Sequence, residues 1–93
     1  MPQIVGHFET PHAAKYLQQL CKHFGHKRPV RFDETEGEVT FDFATAQLRA
    51  AGQRLTVTMD LQNPDDADRG RQVIDKHLER FAFREGFEHM TWA

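Results

Sequence analysis

Arg54-Leu55-Thr56-Val57-Thr58-Met59-Asp60-Leu61 alternates polar and apolar side chains without a break. A strand turns successive side chains to opposite faces, so Leu55, Val57, Met59 and Leu61 share one face and the polar four the other. Such a segment belongs in an antiparallel sheet with one buried and one wet side. Upstream, across a turn at Gly52-Gln53, Ala46, Leu48 and Ala50 oppose Gln47 and Arg49 in the same period. Earlier still, Val39, Phe41 and Phe43 alternate with Glu38, Thr40 and Asp42, and Val30 and Phe32 with Arg31 and Asp33. The turn between these last two runs is expected near Glu36-Gly37.

Helical patterns flank this block. Gln3 to Phe8 reads as a first strand. Thr10-Pro11 then supplies a capping hydroxyl and a proline at the first helical position, predicting a helix that runs to about Gly25. Ala13, Leu17, Leu20 and Phe24 give it one apolar face. After an Asn63-Pro64-Asp65-Asp66 loop, Ala67, Ile74, Leu78 and Phe81 mark the buried stripe of a second helix, which ends at Glu85-Gly86. Phe87 to Trp92 reads as a final strand. The expected order is β-α-β-β-β-β-α-β, an α+β two-layer sandwich with an antiparallel sheet of four to six strands and both helices on its apolar face.

Composition narrows the function classes. Ninety-three residues fit one domain, 1–93, with a single core and no room for a deep active-site cavern. Lys+Arg 12 against Asp+Glu 14 gives a net charge of -2, without the basic excess of a nucleic-acid binder, so no nucleic acid is expected as partner. No apolar run reaches the roughly 20 residues that span a bilayer, so no membrane is expected either. Met1 to Thr10 lacks the pattern of a signal peptide, and the lone Cys21 has no partner for an internal disulfide; a cytoplasmic protein is expected. The chain contains no serine, no CxxC, no HExxH and no glycine-rich phosphate loop, so no complete catalytic constellation is present.

What chemistry there is gathers on the helices. His12, Tyr16, Gln19, His23 and His26 are spaced by four, three, four and three residues, which strings them along one flank of the first helix. Imidazoles on a shared flank can ligate a metal or carry protons near neutral pH, although a boundary stripe at a helix edge has the same spacing. Cys21 and His23 lie about 200° apart round a helix, so the thiol faces the core and is no co-ligand of that imidazole. His77 falls inside the apolar arc of the second helix and is the candidate third group beside His23 and His26, although a buried histidine is more often hydrogen-bonded to a backbone carbonyl or a tyrosine hydroxyl. Near the end of that helix, Glu79, Arg80, Arg84 and Glu85 form a charged cluster suited to mutual pairing or to holding an anion. Phe83 points away from the stripe; the expectation is that the helix ends early and Phe83 packs with Phe87, the alternative being an aromatic exposed to a partner.

Two stretches, Tyr16-Leu17-Gln18-Gln19-Leu20-Cys21-Lys22-His23-Phe24-Gly25-His26-Lys27 and His77-Leu78-Glu79-Arg80-Phe81-Ala82-Phe83-Arg84-Glu85, with Phe32-Asp33-Glu34 and the glycine turn after it, resemble the bacterial family catalogued as domain of unknown function 2218. The similarity runs over nearly the whole chain. It implies a small stand-alone bacterial protein with no established activity. Relatives that accompany or fuse to siderophore-interacting flavoproteins imply a link to iron handling. Relatives also carry the name dihydroxyheptenedioate aldolase, but that activity belongs to barrels of about 250 residues, which this chain cannot build.

The sequence thus predicts a non-catalytic binding or accessory domain for a small-molecule ligand or a protein partner, as monomer or homodimer; the resemblance adds an iron or siderophore context. The candidate flank is Tyr16, His23, His26, His77, Glu79, Arg80 and Arg84. The alternative is a small histidine-dependent enzyme, or one holding a divalent metal on His23, His26 and His77.

Overall fold

The computed structural model describes residues 2–92. Six strands, β1 (Gln3–Glu9), β2 (Val30–Phe32), β3 (Glu36–Thr40), β4 (Ala44–Ala51), β5 (Arg54–Leu61) and β6 (Thr91–Trp92), form one sheet in the order β2-β3-β4-β5-β1-β6. Every neighbouring pair is antiparallel. Helices α1 (Ala13–Phe24) and α2 (Ala67–Ala82) follow β1 and β5, so the element order is the one the periodicity predicts.

The alternation that decided the fold also sets the register. Leu48 lies opposite Val57, and Ala46 opposite Met59, all buried, while Gln47 meets Thr58 on the wet face. Leu17 and Leu20 of α1 and Ile74 and Leu78 of α2 are fully buried in the same core as Ile4, Val39, Val57 and Met59. Both helices therefore cover one face of the sheet. They run antiparallel to each other: Tyr16 at the start of α1 reaches Glu85 just beyond α2, and His23 at the end of α1 meets His77.

The connections between strands differ from expectation in two places. The β2–β3 turn is not at Glu36-Gly37. Asp33 accepts hydrogen bonds at Oδ1 from the backbone N–H groups of Thr35 (2.8 Å) and Glu36 (2.9 Å), which turns the chain three residues earlier and leaves Glu36 and Gly37 in β3. Gly37 is a point of close approach: a Cβ there would lie 2.7 Å from Cys21 Sγ. Phe41-Asp42-Phe43 is not the end of a strand but the β3–β4 connection, closed by Phe41 N–H donating to Ala44 O at 2.8 Å. Its two phenyl rings stay buried, under the guanidinium groups of Arg28 and Arg69 at 5.1 and 4.3 Å.

Helix ends differ as well. α1 begins at Ala13 rather than at Pro11, because Thr10 turns inward: its hydroxyl accepts from His12 N–H (3.1 Å) and donates to Glu85 (2.8 Å). The buried face of α2 is Gly70, Ile74, Leu78 and Ala82, with Phe81 and Ala67 only half-buried. Phe83 does not pack with Phe87. The helix ends at Ala82, Phe83 stays 60% exposed in a 3-10 turn, and Phe87 packs on Phe8 with ring centroids 4.7 Å apart.

The last strand is only Thr91–Trp92. Its anchor is Asp75 on α2, whose carboxylate accepts from Met90 N–H and from Trp92 Nε1–H, each at 2.8 Å. The Trp92 ring lies flat on β1 where a Cβ at Gly6 would come within 2.8 Å of it. A strand of two residues is thus held by a helix side chain and by the space a glycine leaves.

Candidate functional site

The histidine flank of α1 divides into two ends, because Tyr16 and His23 are separated by roughly 10 Å of helix rise. Antiparallel packing gives each end its own partners from α2.

At the first end, the Glu85 carboxylate accepts hydrogen bonds from the Tyr16 hydroxyl and from Thr10 Oγ1. Phe8 stacks on the Tyr16 ring at 6.0 Å, and the His12 ring stands edge-on to it at 6.2 Å. Burial, then the Glu85 hydrogen bond and charge, push the Tyr16 hydroxyl up to about 12, while the Tyr16 hydrogen bond first and foremost holds Glu85 below the usual carboxylate range. This group ties the exit of α2 to the entry of α1.

At the second end, His23 and His77 sit with ring centroids 4.9 Å apart. His77 Nδ1 is 2.6 Å from the carbonyl of Val73, one turn back on α2. A carbonyl only accepts, so Nδ1 carries the proton and, in the neutral ring, Nε2 keeps its lone pair. Phe24 backs both imidazoles, at 5.6 Å from His23 and 5.0 Å from His77, and Phe81 stands edge-on to His23 at 6.0 Å. A cleft opens over this aromatic floor, lined by His23, Phe24, His26, Lys27, Arg28, Val73, His77 and Arg80. Among the described residues no carboxylate lines it. Arg28, at the cleft, lies 3.8 Å from the exposed carboxylate of Asp42. His23 is held below the usual imidazole range, chiefly by burial and then by the positive charge of His77, Arg80, His26 and Lys27.

Of the seven residues the sequence singled out, four meet here: His23, His26, His77 and Arg80. Tyr16 belongs to the other end. Glu79 and Arg84 are exposed and line neither, Arg84 lying 5.7 Å over the Phe83 ring. The three-histidine metal set is not assembled: among the described residues no three His, Cys, Asp or Glu side chains converge on a point that would hold an ion. His26 lies past the end of α1, off the flank a longer helix would have given it. Sequence reasoning missed Lys27 and Arg28 as lining groups, although the run His26-Lys27-Arg28 was there to be read. On the flank between the two ends, the buried Gln19 Oε1 has no hydrogen-bond donor among the described residues.

The bacterial family model described as "Uncharacterized protein conserved in bacteria (DUF2218)" matches residues 5–93. The chain belongs to this family. A solved structure, the NMR structure of PA4090 from Pseudomonas aeruginosa, is similar over 100% of this chain and 96% of that one, with 29% identity and a TM-score of 0.80. No curated protein matches. The fold is thus shared with that solved structure, and no helix in the described residues is long and apolar enough to cross a membrane.

Proposed function

We propose that the chain is a non-catalytic binding module whose ligand is a small anion seated in the cleft between the end of α1 and the middle of α2. The observation that carries this is the lining. Lys27, Arg28 and Arg80 surround the His23–His77 pair with no acid among them, in a chain whose net charge is -2. Positive charge gathered on a half-buried aromatic floor holds a carboxylate or phosphate more strongly than the same charge spread over a solvated surface. The floor of Phe24 and the two imidazoles suits a flat ligand. The association with siderophore-interacting flavoproteins implied by the family resemblance makes an anionic iron chelate one ligand of this class.

Binding couples to protonation. An anion beside His23 offsets the burial and the neighbouring cations that lower its pKa, so binding draws a proton onto His23 and tightens as the pH falls. Isothermal calorimetry with inorganic phosphate, citrate and an iron-loaded catecholate tests the reading at two pH values. At least one probe is expected to bind, more tightly at the lower pH, and to lose about tenfold in affinity in Arg80→Glu. Heat-silent titrations with all three, or an Arg80→Glu variant that binds as well as the native protein, would remove it.

A second reading rests on one observation. The Val73 carbonyl fixes a proton on His77 Nδ1 and leaves Nε2 as the acceptor of the neutral ring, beside a second imidazole whose pKa burial lowers, which is the equipment of a proton-transfer enzyme. Turnover abolished by His77→Phe, while anion affinity persists, would favour this reading over the first.

A further inference from the structure

The outer edge of β2 has backbone groups that meet no hydrogen-bond partner among the described residues. Pro29 O accepts from Thr40 N–H at 3.0 Å, and Asp33 N–H donates to Glu36 O at 2.8 Å, so residues 29 and 33 turn their backbone toward β3. Direction alternates along a strand, so Arg31 also faces β3, while the N–H and C=O of Val30 and Phe32 face away from the sheet. At this edge Phe32 leaves 38% of its surface exposed on the helix side of the sheet. Arg31 projects on the open side, its side chain 83% exposed although it donates to Glu38 at 3.1 Å. Asp33 is exposed beside it.

We propose that two copies of this chain pair through the β2 edge, antiparallel, about a two-fold axis passing through Phe32. In that register Phe32 of one copy exchanges both N–H···O bonds with Phe32 of the other, and the two rings meet beyond the cover of α1. Arg31 of each copy then lies directly opposite Asp33 of the other, giving two cross-strand ion pairs on the open face. The neighbouring register, centred on Arg31, would set Arg31 against Arg31 and loses on charge. One arginine and one aspartate placed either side of an exposed aromatic are self-complementary under a two-fold, as an isologous contact requires.

The same edge limits the contact. In this register Val30 falls opposite Glu34 of the other copy, inside the turn that Asp33 closes, so that turn bounds the contact at both ends. Three residues can pair, and pairing uses up this edge of both six-stranded sheets, so the contact closes as a dimer and does not propagate from there. So short an interface is a reversible one.

Sedimentation velocity from micromolar to millimolar concentration reads it. The mass is expected to rise toward twice that of the monomer and to fall back with added salt, as exposed ion pairs are screened. Arg31→Asp, which sets carboxylate against carboxylate on both sides of the axis, is expected to weaken pairing about tenfold or more. Phe32→Lys is expected to abolish it. Both residues are exposed, and an unchanged thermal unfolding curve certifies the fold of each variant. The register has its own test, because Cα atoms of a hydrogen-bonded antiparallel pair lie about 5.5 Å apart, within disulfide range. Phe32→Cys should cross-link two chains under mild oxidation, while Thr40→Cys, exposed at the end of β3, should not. A protein that stays monomeric throughout the series, or a dimer indifferent to both Arg31→Asp and Phe32→Lys, overturns the proposal.

Discussion

His23 and His77 face each other across the seam between α1 and α2, their ring centroids 4.9 Å apart and Phe24 behind both. The native protein therefore resists protonating His23, and this resistance has a sign. Below pH 6.5 an unfolded chain takes a proton on His23 that the folded chain takes up only at lower pH. Stability from this group is present above pH 6.5 and is lost as the pH falls through the depressed native value. Urea unfolding is expected to show stability rising with pH across this window, with a smaller slope in His23→Gln. An identical slope in the variant would place the effect elsewhere.

Tyr16 and Glu85 carry the opposite ends of the pH scale. Glu85, held below its ordinary 4.5, contributes stability above that pH and loses it as the pH falls through its native value. Tyr16, raised from 10 to about 12, keeps its proton in the folded state, so stability falls as the pH climbs through that interval. Tyr16→Phe leaves Glu85 with Thr10 alone and should cost about 1–2 kcal/mol at neutral pH, less than a fully buried charged hydrogen bond because Glu85 is exposed. The variant should also lose the alkaline arm and flatten the acid one. Denaturation at three pH values checks all three statements.

Asp75 holds the C-terminal strand by two hydrogen bonds, so Asp75→Ala strands the donors Met90 N–H and Trp92 Nε1–H. The expected loss is about 2–3 kcal/mol. Trp92 is the single tryptophan, and its emission should move to the red as the indole leaves its seat. Gly6→Ala should give the same optical change with Asp75 intact, since the added methyl meets the ring at 2.8 Å. An unshifted emission in both variants would contradict the anchor.

Gly37 and Cys21 form a packing pair. Gly37→Ala drives a methyl to within 2.7 Å of a buried sulfur and should destabilise the fold by about 1–3 kcal/mol. Cys21→Ala removes that sulfur, so in the double variant the two penalties should add to less than their sum. Thermal unfolding of the four proteins closes the cycle, and strict additivity would show that the contact does not matter.

The alternation of Leu55 to Leu61 against Thr56 to Asp60 made the sheet legible, because each side chain there answers only to which face it is on. The apolar spacing of α1 and α2 was legible for the same reason. The β2–β3 turn was a local signal misread, since the Asp33 carboxylate caps N–H groups only two and three residues on. What could not be read depended on residues distant in the chain: the start of α1 belongs to a hydroxyl drawn toward Glu85, and the end of the sheet to Asp75. At the candidate site, spacing gathered Tyr16 and His23 on one flank but carried no information on where α2 crosses. Antiparallel packing sent Glu85 to one and His77 to the other, so a single flank became a structural tie and a cleft.

An anion seated in the cleft between α1 and α2 lies beside His23, whose titration therefore reports it. Side-chain NMR of His23 and His77, recorded against pH with and without inorganic phosphate or citrate, is expected to show the His23 pKa rising when the anion is present. Backbone shifts should be confined to residues 23–28 and 73–80, and Arg80→Glu should erase both effects. A His23 titration unmoved by either anion, or shifts gathered elsewhere on the molecule, would contradict the account.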